Sequence, residues 1–299
     1  MSFLNPVNEP VLRFKSTDAG APQINYNARV AGDVKAVLKA CLVTGYGSVA
    51  SAGWTAINEA GSAVEFVSPS GVMADYALGI DDASASSTTW YYQYQNSRVN
   101  PVNNAVSKTL TYTDKLSSEN GWELLVTQRG ILFIEITKVD TSAYIRARVT
   151  YYGALKSAIT NSGKNIGFWS TGAGDIYDSF LFFQNLNTRA HYNLSSYTQL
   201  SSASLGLATL GNNSIKKTYN VSDITITSSI FLLVGSVIVA EQPAVLLQDV
   251  NKSTDVLVKK DILVDDRPCL YVAVGRTVKS SDSIDYSVPL AIRLDYWEY

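Results

Sequence analysis

The sequence predicts a mainly β protein, made of antiparallel β-sandwich units with one short α-helix near the N-terminus. Three observations carry this expectation. β-branched and aromatic residues dominate short runs along most of the chain. Gly, Asn, Asp and Ser punctuate those runs at short intervals, the spacing of sandwiches rather than of parallel sheets with helical crossovers. Helical periodicity appears once, over residues 33–44.

The N-terminal part reads as a strand from Val11, a turn, and that helix. Asp33 supplies the start signal, and Val34, Val37, Leu38, Cys41 and Leu42 form an i, i+3, i+4, i+7, i+8 apolar stripe. Gly45 stands where a left-handed stop is needed. Strands are expected at 64–67, 75–80, 89–95 and 108–113. Runs 123–128 and 132–138 flank Arg129-Gly130, a hairpin signal because Gly tolerates positive φ. Further strands are expected at 143–152, 177–183, 191–197, 223–226, 230–240, 245–247, 256–259, 269–274 and 290–296. The segment 154–174, with SAITNSGK and STGAGD, is the best candidate connection, dividing the chain near Gly163 into domains 1–163 and 164–299. No fixed-period repeat and no heptads occur, which argues against a propeller, a β-helix shaft or a coiled coil.

Composition narrows the function. Charged residues are 17% of 299 and the net charge is −2, too weak a positive field to hold a phosphate backbone, so no nucleic-acid partner is expected. The most apolar run, 230–240, is eleven residues with a Gly inside, about half of a membrane-spanning helix, and reads as one buried strand. MSFLNPVNEP has no basic region followed by an apolar one, so the expectation is synthesis in the host cytoplasm without a signal peptide. Cys41 and Cys269 read as free buried thiols.

Catalytic, cofactor-binding and metal residues are not expected. His191 is the only histidine, and no nucleophile-elbow string accompanies it, so it reads as a structural residue within a sheet. One His and two distant Cys cannot build a compact zinc site. Asp81-Asp82 and Asp265-Asp266 offer adjacent carboxylates, but strand neighbours point to opposite faces and neither string has the spacing of an oxygen cage. The Gly-Tyr-Gly turn at 45–47 follows a helix, whereas a phosphate loop precedes one. The 26 acidic residues supply carboxylates for a glycosidase pair without singling one out.

Aromatic side chains are the candidate functional residues. Trp90, Tyr91, Tyr92 and Tyr94 cluster, with Tyr92 and Tyr94 on one face of an alternating strand and Tyr91 on the other; Trp297 and Tyr299 close the sequence. Trp90, Tyr92, Tyr94, Trp297 and Tyr299 are candidates for a protein interface, with core packing and carbohydrate contact as the competing readings. Residues 1–10 and 96–105, poor in pattern and rich in Pro or Asn, are candidate arms for reaching neighbouring subunits.

Certain strings occur together and in order: STDAGAPQ (16–23), ACLVTGYGS (40–48), GW (53–54), GIDD (79–82), WELLVTQRGILFIEI (122–136), YYG (151–153), AHYNLSSYTQ (190–199) and LAIRLDYW (290–297). In this order they resemble a family of tailed-bacteriophage virion structural proteins of similar length. The resemblance is closest up to Gly153 and looser beyond, where the Arg-Gly-rich and Leu-Pro-Gly pieces common in that family are missing after Phe231. It implies a non-enzymatic component of the virion neck, tail or baseplate, without cofactor, whose partners are other virion proteins. Such a component is expected as a homo-oligomer or as a ring on a symmetric neighbour. The alternatives are a receptor- or glycan-binding module on the particle surface, which would depend on Tyr92 or Tyr94, and a tail-associated glycan hydrolase, which would require an essential carboxylate.

Overall fold

The structure, a computed structural model, describes residues 7–25, 28–71, 73, 76–94, 106–111, 121–138, 145–157, 165–170, 180–185, 190–194, 205–208, 219–221, 224–234, 237–249, 259–264, 266–277 and 287–299. The proposed boundary near Gly163, the candidate arm 96–105 and Asp265 lie outside these residues. The chain is mainly β with one short helical segment, and its strands pair antiparallel. It divides into two compact units. One comprises Leu12–Asp140 and Tyr151–Gly153; the other comprises Met1–Val11, Thr141–Thr150 and Ala154–Tyr299.

β1 (Asn8–Pro10) belongs with the second of these units. The unit that follows it in sequence contains β2 (Leu12–Lys15), α1 (Asp33–Lys39), β3 (Thr55–Ala60), β4 (Ala63–Val67), β5 (Tyr76–Ser84), β6 (Ser87–Tyr94), β7 (Val106–Thr111), β8 (Gly121–Val126) and β9 (Gly130–Lys138). β3 to β7 form a five-stranded meander in sequence order, while β8 is flanked by β2 and β9. Alternation builds the core: Val64, Phe66, Leu78, Ile80 and Trp90 are fully buried at every second position of the meander. Trp90 meets Phe133 of β9 with ring centroids 5.8 Å apart, so the meander and the β8–β9 hairpin share this core. The hairpin sits where Arg129-Gly130 predicts it, with Val126 opposite Ile131 and Thr127 N–H bonded to Gly130 O at 2.9 Å.

The helix follows the predicted stripe, since Val34, Val37, Leu38, Cys41 and Leu42 are all fully buried. Its geometry departs from the expectation in two ways. The residues 40–44 are π-helical, with Gly45 N–H bonded back to Ala40 O at 2.7 Å, and Gly45 leaves the turn at φ 75°. Carbonyls of Cys41 and Leu42 accept instead from Ala52 N–H and Trp54 N–H, so returning chain satisfies the helix end. At the start, Gly32 occupies the cap at φ 94° in place of Asp33, whose carboxylate accepts from Val30 N–H at 3.0 Å.

β10 (Ile145–Ala154) places Tyr151–Gly153 in this first unit and Ile145–Thr150 in the other. The other unit continues with β11 (Lys156–Ser157), β12 (Asn165–Ser170), β13 (Phe180–Asn185), β14 (Ala190–Leu194), β15 (Leu205–Ala208), β16 (Tyr219–Val221), β17 (Ile224–Val234), β18 (Val237–Asp249), β19 (Lys259–Val264), β20 (Arg267–Thr277), β21 (Ser287–Arg293) and β22 (Tyr296–Glu298). Its strands run in the order β14, β13, β12, β10, β20, β21, β18, β17, β15, with β11 on β18, β16 on β17 and β19 on β20. One expectation is corrected here. The run 230–240 is not one strand but the paired ends of β17 and β18, with Val234 opposite Val237. The stretch 154–174 contains β12, whose Ile166 and Phe168 are buried. β1 and β22 form a separate two-stranded ribbon, so residues 8–10 are engaged within the chain.

Candidate functional site

Three of the strings that carry the sequence resemblance, STDAGAPQ, ACLVTGYGS and GIDD, meet at the helix and its neighbouring turns. After β2 the chain reverses at Asp18, whose Oδ2 accepts from Lys15 N–H at 2.9 Å while Ala21 N–H bonds to Asp18 O at 3.0 Å. The same Oδ2 accepts from Tyr46 O–H at 2.8 Å, tying the STDAG turn to the Gly-Tyr-Gly turn behind the helix. The two turns touch through glycine. A Cβ on Gly20 would lie 3.2 Å from Gly47 Cα, and one on Gly47, already at φ 52°, would collide with Ala19 O. Tyr46 also packs on Phe14, ring centroids 6.2 Å apart. Gln23 donates to Ser16 O and Ala21 O, and Trp122 donates its indole N–H to Pro22 O at 2.9 Å, so the rest of STDAGAPQ is bound to itself and to β8.

Asp82, the last residue of GIDD, closes the other end of the helix. It is fully buried and its carboxylate is filled by donors. Oδ2 accepts from Val34 N–H at 2.8 Å and Lys35 N–H at 3.4 Å; Oδ1 accepts from Arg29 Nη2 and from Thr88 O–H at 2.6 Å. Arg29 Nη2 also lies 2.5 Å from Thr88 Oγ1. The helix amides that would otherwise lack partners are therefore capped from a strand 48 residues away rather than by a neighbouring side chain. Its carboxylate has no open side for a cation, and no group of three or more potential metal-ligating side chains occurs among the described residues.

GW, YYG and LAIRLDYW act in the same way. Trp54 of GW donates to Thr127 O at 3.3 Å and meets Tyr152 of YYG edge-on at 6.4 Å. Gly130 and Gly153 approach so closely that a Cβ on Gly153 would sit 2.5 Å from Gly130 Cα. In LAIRLDYW, Asp295 receives a forked bond from Arg267 at 2.7 and 3.0 Å, and Trp297 is fully buried with its indole N–H on Arg293 O.

Protonation favours structure over chemistry at these groups. Burial, then the Asp18 carboxylate, push the Cys41 thiol well above its ordinary range, which removes the thiolate that nucleophilic work needs. Burial and the bond to Asp18 push the Tyr46 phenol up in the same way, so it stays a donor. Tyr91 lies across Gly79, in the space a side chain there would fill, and hydrogen-bonds Glu65; burial and the nearby Glu65 and Asp81 carboxylates push it up to about 12.

Of the aromatic candidates, Trp90 and Trp297 are 0% exposed and Tyr299 is 5% exposed, so all three serve as core in the single chain. Tyr92 stands opposite Leu78 and Tyr94 opposite Tyr76 in the β5–β6 ladder. His191 stands opposite Gln184 within β14, as a sheet residue. Cys41 and Cys269 are buried free thiols. Arg29, Thr88 and Asp18 escaped sequence reasoning; the nearest signal was the Asp-Asp pair in GIDD, which was weighed only as a cation site and set aside, never as a helix cap. No helix of the described residues is long and apolar enough to cross a membrane. Comparison with protein-family models, with curated proteins and with solved structures finds no match.

Proposed function

We propose that this chain is a structural component of a tailed-phage virion, in the neck, tail or baseplate, and that it works by protein–protein assembly. One observation carries the reading. Within the strings that resemble virion structural proteins, the described side chains and glycines lock turns, cap the helix and fix close backbone approaches, with no activated nucleophile among the groups described. Residues spent on locking turns hold a shape, and shape is what an assembly component supplies. The low charge of the chain suits closely packed subunit interfaces, where stranded ions are costly.

The test is gold labelling of intact phage particles with an antibody against this chain, viewed by electron microscopy. Label at the neck, tail or baseplate is the expected result. Absence of label from both intact and opened particles would overturn the proposal. Label confined to the outermost surface, together with glycan binding by the purified chain, would favour the receptor-binding alternative.

A further inference from the structure

We infer that the adjacent carboxylates Asp81 and Asp82 form a register lock: they hold a β-bulge that decides which face of β6 enters the core.

The β5–β6 hairpin joins two registers that do not agree. From Tyr76 to Asp81 the strands pair residue for residue, with Gly79 opposite Tyr91, Ile80 opposite Trp90 and Asp81 opposite Thr89. At the turn Ser84 pairs with Ser87, leaving Ala85 and Ser86 as a two-residue loop. Between these stretches Asp82 and Ala83 face the single residue Thr88, which is a β-bulge. Continued without the bulge, the register of the turn would set Asp81 opposite Trp90 and Ile80 opposite Tyr91. A slip of one residue sends every side chain of a strand to the other sheet face, so β6 would be turned over. Trp90, fully buried against Phe133, would leave the core and Tyr91 would take its place. Hydrophobicity separates the two arrangements poorly, because β6 carries aromatic residues at the adjacent positions 90, 91 and 92. A regular two-residue hairpin needs no extra residue, so the bulge requires a hold of its own.

The two carboxylates supply that hold from opposite faces. On the core side, Asp82 Oδ1 accepts from the hydroxyl of Thr88, the residue facing the bulge, at 2.6 Å, and Arg29 Nη2 lies 2.5 Å from the same hydroxyl. On the outer side, Asp81 Oδ1 accepts from Ala83 N–H inside the bulge at 3.2 Å and from Ser62 O–H at 2.8 Å. The main chain of Asp82 serves Gly32 N–H at 2.9 Å and Ser62 O at 3.3 Å rather than β6. Tyr91 adds a register-dependent fit, lying across Gly79 where a side chain would collide with its ring. In the turned-over register Thr88 would point away from Asp82, and Tyr91 would meet Ile80 instead of Gly79. The buried polar contact therefore distinguishes two arrangements that apolar burial alone leaves close. This role is separate from capping: the bonds from Val34 N–H and Lys35 N–H to Asp82 Oδ2 join α1 to β5 alone and are compatible with either register of β6.

The test leaves Asp82 and its cap in place. A full-length double variant, Asp81→Ala with Thr88→Val, is compared with the parent and with the same double variant lacking Ala83. That deletion removes the extra residue and makes the registers of turn and ladder coincide. NMR on isotope-labelled protein reads the contacts between the strands. In the parent Ile80 contacts Trp90 across the ladder. In the double variant a set of signals is expected in which that contact is lost and Ile80 contacts Tyr91; in the deletion variant the Ile80–Trp90 contact should be the only one. A double variant that folds with Ile80 against Trp90 alone overturns the lock. Should the double variant not fold, deletion of Ala83 is expected to restore a cooperative thermal transition, and failure to restore it overturns the lock equally.

Discussion

Replacing Asp82 with asparagine tests the buried cap most sharply. The substitution keeps the shape of the side chain but removes the charge and turns one acceptor into a donor, facing either Arg29 Nη2 and Thr88 O–H or the amides of Val34 and Lys35. Breaking a buried ion pair from one side costs about 3–5 kcal/mol, because the remaining charge loses its compensation. Loss of a helix cap adds about 1 kcal/mol when no acceptor replaces it. Asparagine retains one oxygen, so a loss of about 3 kcal/mol is expected. With a urea m-value of about 2 kcal/mol/M, the midpoint of this unit falls by about 1.5 M, read by tryptophan fluorescence. The double variant Arg29→Met with Asp82→Asn should lose less than Asp82→Asn alone, since it no longer buries an uncompensated guanidinium. A midpoint within about 0.3 M of the parent for Asp82→Asn, or strict additivity with Arg29→Met, would refute the capping account.

Other outcomes follow from the same contacts. Gly47→Ala should cost at least about 2 kcal/mol in denaturant unfolding, since the residue combines φ 52° with a collision against Ala19 O; a neutral variant would mean the two turns are not locked. The clasp on β22 should loosen in acid. At Asp295 and Glu298 burial raises the pKa, but bonds from Arg267 and Tyr296 N–H, and from Lys156, more than offset it, so both are held below the ordinary carboxylate range. Depressed carboxylates contribute stability above their unfolded pKa and lose it as pH falls through the folded one. Amide exchange at Val7 and Tyr299 should therefore accelerate below about pH 4 relative to the β8–β9 hairpin. An ultraviolet difference titration between the parent and Tyr91→Phe should place Tyr91 at about 12. The stabilising contribution of its neutral phenol is complete below its unfolded value of about 10 and disappears as pH rises through about 12. Gly79→Ala, whose methyl takes the place of the ring, should return the titration toward 10.

Much of the fold was legible because it is encoded locally. The buried stripe Val34, Val37, Leu38, Cys41 and Leu42 follows directly from helical periodicity, and Arg129-Gly130 marks the place of its hairpin, although Gly130 serves the close approach to Gly153 rather than a positive φ. What the sequence concealed depends on distant partners. Asp82 carried no local signal of a cap, and only the strand register brings it to helix amides 48 residues away. Gly32 rather than Asp33 occupies the cap because the required acceptor comes from elsewhere. The run 230–240 looked continuous because a single Gly was too weak a signal beside so many β-branched residues, and β12 was hidden by its polar flanks. The aromatic cluster shows the limit of alternation: spacing assigned faces within a strand but not which face was buried, and Trp90 proved to be core.

The central claim is that the residues locking the turns and the helix hold a shape, and the proposal is that this shape serves assembly. The most direct measurement compares unfolding midpoint with incorporation into phage particles for Asp18→Asn, Gly47→Ala, Asp82→Asn and Trp54→Phe. Incorporation should fall only in step with lost stability and recover when growth temperature is lowered. A variant of these residues that unfolds like the parent yet fails to enter the particle would contradict the account, because it would give one of these residues a role beyond holding the fold.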